Sequence, residues 1–244
     1  MSTFESLIMK RYSDKNFAKK YYAASKNGLK PFEKKLVDTY LSNTKKLLVV
    51  GCGAGRETVS LAKSGFDVTA IDIAPEMVRQ TKKLCAEKKV VASVLTMDAS
   101  SLNFKENTFD AVLFFNCVLD QIHSHVKRAK TVKKAYSILK RNGIAIAVSN
   151  NALQPGEKFM YWKEHVKHGF TYLKNRKHDF FDRVYEDDLP VYVHLSTPFY
   201  LRKLFKEFKT IQCSSSDAIM DRTKEGVSTY FDPLIIIVAK KVKA

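Results

Sequence analysis

Glycines 51, 53 and 55 follow the apolar run Leu47, Leu48, Val49, Val50 and precede the polar start Arg56, Glu57. A strand that enters a helix through such a turn brings backbone N–H groups close to a ligand, because no Cβ stands in the way. Two carboxylates, Asp72 and Asp98, each close a later apolar run. A carboxylate accepts hydrogen bonds from a pair of hydroxyls or from an exocyclic amine, so this set suits a nucleoside. The dinucleotide fingerprint needs a small residue where Arg56 stands, and counting from Gly53 puts Thr58 there. The phosphate-loop pattern is absent as well, and without a triphosphate to neutralise neither an arginine cluster nor a metal is required.

Other reactive side chains are fewer. His194, in Val191-Tyr192-Val193-His194 just before a helix start, is the candidate general base. His123 and His125 are two residues apart, too close to share a helix face, and His165 with His168 reads as a solvated face. Cys117 lacks the Pro or Thr neighbour of a pyrimidine-attacking thiol and reads as apolar packing. Tyr21 and Tyr22 fit either a lid over the reacting group or core packing. Phe159, Tyr161, Trp162, Phe170 and Tyr172 fit the walls of a small organic acceptor's pocket or a packed helix face.

These groups must be held by a regular frame. Residues 1–42 have helical spacing broken at Gly28 and Pro31. Strand and helix then alternate: strand through residue 50, helix 57–63, strand 67–72, helix 75–87, strand 90–97, strand 111–116, helix 124–139, strand 144–149. That rhythm predicts βαβ units, hence an open parallel sheet with helices on both faces. Residues 151–196 interrupt it, as an insertion at a strand's carboxyl end does when it covers a ligand. Thr197-Pro198 caps a further helix, residues 211–215 and 234–240 supply the last strands, and 217–232 reads as a loop.

The motifs resemble those of class I S-adenosylmethionine-dependent methyltransferases. The glycine turn has that family's first-motif form, Ala70-Ile71-Asp72-Ile73-Ala74-Pro75-Glu76-Met77 resembles its second-strand end, and Leu95-Thr96-Met97-Asp98-Ala99 its third. Residues 109–119, with Asn116, Cys117 and Val118, resemble the fourth strand and the loop beside the transferable methyl, and Ser137 to Gly143 resembles the turn before the fifth. The resemblance implies a Rossmann-like, doubly wound α/β fold with a mostly parallel seven-stranded sheet, N-terminal helices and an insertion after strand five. It implies S-adenosylmethionine as cofactor, S-adenosylhomocysteine as product, and contacts from Tyr21, Gly51, Cys52, Gly53, Gly55, Asp72, Ile73, Met77, Asp98, Ala99, Asn116, Cys117 and Val118. One position departs: Val49 stands where the family often carries an acid.

With 244 residues, 45% of them hydrophobic, the chain is expected to form one domain over 1–244: a helical lid (1–42), a cofactor half (43–150), a substrate-side insertion (151–196) and the rest of the sheet (197–244). No apolar run is long enough to span a bilayer, and no secretory signal is read, so the cytoplasm is the expected compartment. The charge of +17 invites a nucleic-acid partner, but it comes from 33 Lys against 9 Arg dispersed along the chain, a solvated pattern. Methyl transfer to a small molecule is therefore the leading reading, with an RNA acceptor or a non-catalytic cofactor-binding module as alternatives.

Overall fold

A computed structural model describes residues 3–153, 182–185, 189–220 and 233–242. The chain begins with helices α1 (Thr3–Ser13), α2 (Lys15–Ser25) and α3 (Pro31–Tyr40). There follow β1 (Lys46–Val50), α4 (Arg56–Lys63), β2 (Asp67–Asp72), α5 (Pro75–Glu87), β3 (Ser93–Thr96), β4 (Phe109–Phe114), α6 (His125–Ile138) and β5 (Leu139–Asn150). Next are β6 (Asp182–Tyr185), β7 (Val191–His194), α7 (Pro198–Leu204), β8 (Lys209–Ser215), α8 (Ser216–Met220) and β9 (Leu234–Lys240).

Seven strands form one sheet in the order β3-β2-β1-β4-β5-β9-β8. Pairings from β3 through β5 are parallel, whereas β9 runs antiparallel to both β5 and β8. The central strands β1, β4 and β9 are apolar on both sides because both faces are covered there. Leu47, Val49, Leu113 and Ile146 pack with Phe32, Leu36 and Leu61 of α3 and α4, while Leu48, Val50, Val112 and Ala145 pack with Val132, Ile138 and Leu201 of α6 and α7. Each such buried aliphatic contributes about 1.5–3 kcal/mol against solvent exposure. Chain order reverses between β1 and β4, which opens a crevice at the strands' carboxyl ends.

The expected doubly wound α/β sheet is therefore present. Within the expected insertion, β6 and β7 form a separate two-stranded sheet. The aromatic stretch with Phe159, Tyr161, Trp162, Phe170 and Tyr172, and the pair His165 and His168, lie outside the described residues. The expected loop at 217–232 begins as the helix α8. Among the described residues, no helix is long and apolar enough to cross a membrane.

Candidate functional site

The turn after β1 takes a left-handed path that only glycine adopts without strain, with φ of 69° at Gly51 and 53° at Gly53. A Cβ on Gly51 would fall 2.2 Å from Val118 Cγ2. Cys52 N–H donates to Ile71 O at 2.9 Å, which carries the β1–β2 alignment beyond the strand end. Asp72 then fastens the turn: its Oδ2 accepts from Gly53 N–H at 2.8 Å and its Oδ1 from Ala74 N–H at 2.9 Å. Each oxygen keeps a further lone pair for a ligand. Burial raises the Asp72 carboxyl to about 6, with those N–H donors pulling the other way. Asp98 stands at the end of β3, where its Oδ1 accepts from Ser100 N–H at 2.7 Å and caps the short turn Ala99–Ser101.

Beyond β4, Asn116 and Cys117 are consecutive residues at φ 51° and 59°. Left-handed backbone costs a residue with a Cβ about 1–2 kcal/mol, a strain typical of sites held for function. Asn116 Nδ2 donates to the Tyr21 hydroxyl at 2.5 Å. The Tyr21 ring lies against Gly53, where a Cβ would meet Cε1 at 3.0 Å. Burial, then the neighbours Tyr12 and Glu57, raise the Tyr21 phenol far above its ordinary value, so it stays protonated.

Two clefts meet at this point. The first, of about 840 Å³, has Asp72, Ile73, Asp98, Ala99 and Val118 on its wall. The second, of about 1030 Å³, runs past Cys52, Ala54, Arg56 and Glu57 to the α2–α3 connection. Gly51, Gly53, Tyr21 and Asn116 line both.

Some expected contacts lie elsewhere. Met77 is fully buried among Ala18, Tyr22, Ala74 and Leu84, a core position between α2 and α5. Gly55 lines neither cleft: it caps α4 at φ 95° and lets Thr81 of α5 approach to 3.1 Å of a Cβ position. Cys117 packs against the core rather than the wall. His194 is 1% exposed on β7, with Nδ1 2.8 Å from Asp182 Oδ1 and its ring against Tyr200. Among the described residues, it lines neither of these two clefts. Of the two neighbouring tyrosines, Tyr21 reaches the cleft and Tyr22 joins the core.

Other wall residues carried no sequence signal. Helix α1 contributes Glu5, Ile8 and Tyr12 to the wall of the first cleft, together with Gln121, His123 and Lys127. Gln121 Nε2 donates to the Tyr12 hydroxyl at 2.9 Å, and Lys127 pairs with Glu5. Such partners are more than a hundred residues apart, so no local pattern announces them.

Residues 47–143 match the family described as a methyltransferase domain. A candidate methyltransferase from Geobacillus sp. (strain WCH70) is 30% identical over 118 residues, 47% of this chain and 46% of that protein. The chain spans about half the length of the curated relatives it matches first. An S-adenosylmethionine-dependent methyltransferase structure from Methanosarcina mazei superposes with a TM-score of 0.69 at 20% identity, over 89% of this chain and all of that one. The 1,6-didemethyltoxoflavin-N1-methyltransferase of Burkholderia thailandensis, solved with 1,6-didemethyltoxoflavin and S-adenosylhomocysteine, gives 0.64 at 15% identity over 100% of this chain and 92% of that one. At such identities it is the fold that is shared. Residues 47–143 thus match a methyltransferase domain, and the fold around them is the one shared with these solved structures.

Proposed function

We propose that the chain is an S-adenosylmethionine-dependent methyltransferase acting on a small molecule, through one domain spanning 1–244. The observation that carries this reading is the donor set of the first cleft. Asp72 and Asp98 offer carboxylate oxygens from adjacent strand ends, suited to ribose hydroxyls and the adenine amine, while the glycine turn leaves room that a Cβ at Gly51 would close. Among the described residues the one lysine on that wall, Lys127, is paired with Glu5, which favours an uncharged nucleoside over a polyphosphate. Tyr21, Gly51, Cys52, Gly53, Asp72, Ile73, Asp98, Ala99, Asn116 and Val118 are the cofactor contacts we assign.

The bound sulfonium supplies an activated methyl group for in-line displacement. This chain's residues then align and enclose: Tyr21 and Asn116 fix the junction of the clefts, and α1 lines the nucleoside side. No protein base is assigned, since a neutral amine or a carboxylate acceptor needs none. Glu5, Ile8 and Tyr12 of α1 narrow the first cleft from one side, which favours a small acceptor.

The test is incubation of the chain with methyl-labelled cofactor and fractionated cell extract. Label in the small-metabolite fraction is expected. Label confined to RNA or to protein overturns the acceptor class, and cofactor binding without label in any fraction favours the non-catalytic module.

A further inference from the structure

Asp72 and Asp98 account for the first cleft, but the charges beyond Tyr21 have no role yet. There the second cleft reaches Arg56 and Glu57, with Glu33 of α3 behind them. The side chains of Glu33, Glu57 and Arg56 are 0%, 6% and 13% exposed. Arg56 grips Glu33 through both terminal nitrogens, one bond being 2.8 Å, and Nη2 also donates to Glu57. Glu33 has a further donor in Lys30 N–H at 2.8 Å. Two buried carboxylates thus share one guanidinium, and Glu57 has the smaller share.

A carboxylate removed from water without a full counter-charge is costly, and burial accordingly pushes Glu57 above the usual carboxylate range. Among the described residues, the other cation on this wall is Lys30, which is exposed, stands over the Phe32 ring at 6.0 Å and partly offsets the charge of Glu57. Glu57 is therefore a buried carboxylate held by a shared guanidinium and an exposed lysine, at a place that a ligand reaches past the glycine turn.

We propose that Glu57 anchors an ammonium group there, and that this is the α-ammonium at the amino-acid end of the cofactor. The inference rests on the function proposed above. A molecule whose nucleoside is held by Asp72 and Asp98, and which passes Gly51, Gly53, Tyr21 and Asn116, continues into the cleft that Glu57 lines. A cationic acceptor is the other source of an ammonium, and the test separates the two.

Calorimetric titrations of the full chain with S-adenosylhomocysteine, its desamino analogue and 5′-methylthioadenosine decide the matter. Wild type should prefer S-adenosylhomocysteine over the desamino analogue by about tenfold, the worth of a charge-assisted hydrogen bond. Glu57→Gln should erase that preference and leave 5′-methylthioadenosine binding within about twofold of wild type, a change that general loosening of the fold does not produce. Equal losses for all three ligands overturn the assignment. So does an unchanged affinity for S-adenosylhomocysteine, which leaves an acceptor amine as the cation. Where Glu57→Gln does not fold, Glu57→Asp, which withdraws the charge by one methylene, takes its place, and a preference equal to wild type overturns the proposal. A wild-type chain that binds none of the three overturns the cofactor reading itself, and this inference with it.

Discussion

Asp72 carries two duties with one carboxylate, fixing the turn through Gly53 and Ala74 and facing the first cleft. Asp72→Ala should weaken S-adenosylhomocysteine binding by about 1–3 kcal/mol. The wild-type residue also predicts a pH dependence. With its carboxyl raised to about 6, the group is ionised at pH 7.5 and mostly protonated at pH 5. Protonation removes acceptor capacity, so affinity should fall by about tenfold between those values. Titration at both pH values checks this, and a flat profile removes Asp72 from the ligand's partners. At this scale the sequence was informative where a motif sits at a strand end, as for Gly51, Asp72 and Asp98. It was silent on Glu57, which reads as the ordinary polar start of a helix, and Val49, at the position where the family often carries an acid, is buried in the core.

Elements set which of these residues meet. Helix α1 lines the first cleft and is fastened by Tyr12 to Gln121, by Glu5 to Lys127 and by Arg11 to the Leu189 carbonyl. Tyr12→Phe deletes one hydrogen bond, worth about 1 kcal/mol, and should speed S-adenosylhomocysteine release about fivefold in a stopped-flow displacement. An unchanged rate means that α1 does not gate the cleft. A second joint ties β5 to the turn Val118–Gln121. Asp120 Oδ2 accepts from Asn150 N–H at 2.6 Å and Nδ2 at 2.9 Å, and Ser149 donates to Oδ1. Burial raises this carboxyl to about 7, well above its unfolded value. The native state therefore holds the proton more tightly, and stability falls as pH rises from about 4 through 7. The melting temperature should decline across that interval, and Asp120→Asn should flatten the decline. An equal slope in the variant assigns the pH dependence to other groups.

Across the whole molecule the sheet was legible because its parallel strands are covered on both faces and so read as unbroken apolar runs. The strand read at 144–149 proved to be Leu139–Asn150, and the pair β6 and β7 was hidden, since four-residue strands of mixed composition have no distinctive period. Net charge was the least informative global signal. A charge of +17 draws any polyanion, and 33 dispersed lysines release counterions on contact with phosphates of any sequence. Binding to a generic single-stranded RNA should therefore be measurable at about 50 mM salt and lost by about 200 mM, with a steep slope of log affinity against log salt. Affinity that persists at the higher salt, or a preferred RNA sequence under it, signals contacts beyond the phosphates and moves the acceptor from small molecules to RNA.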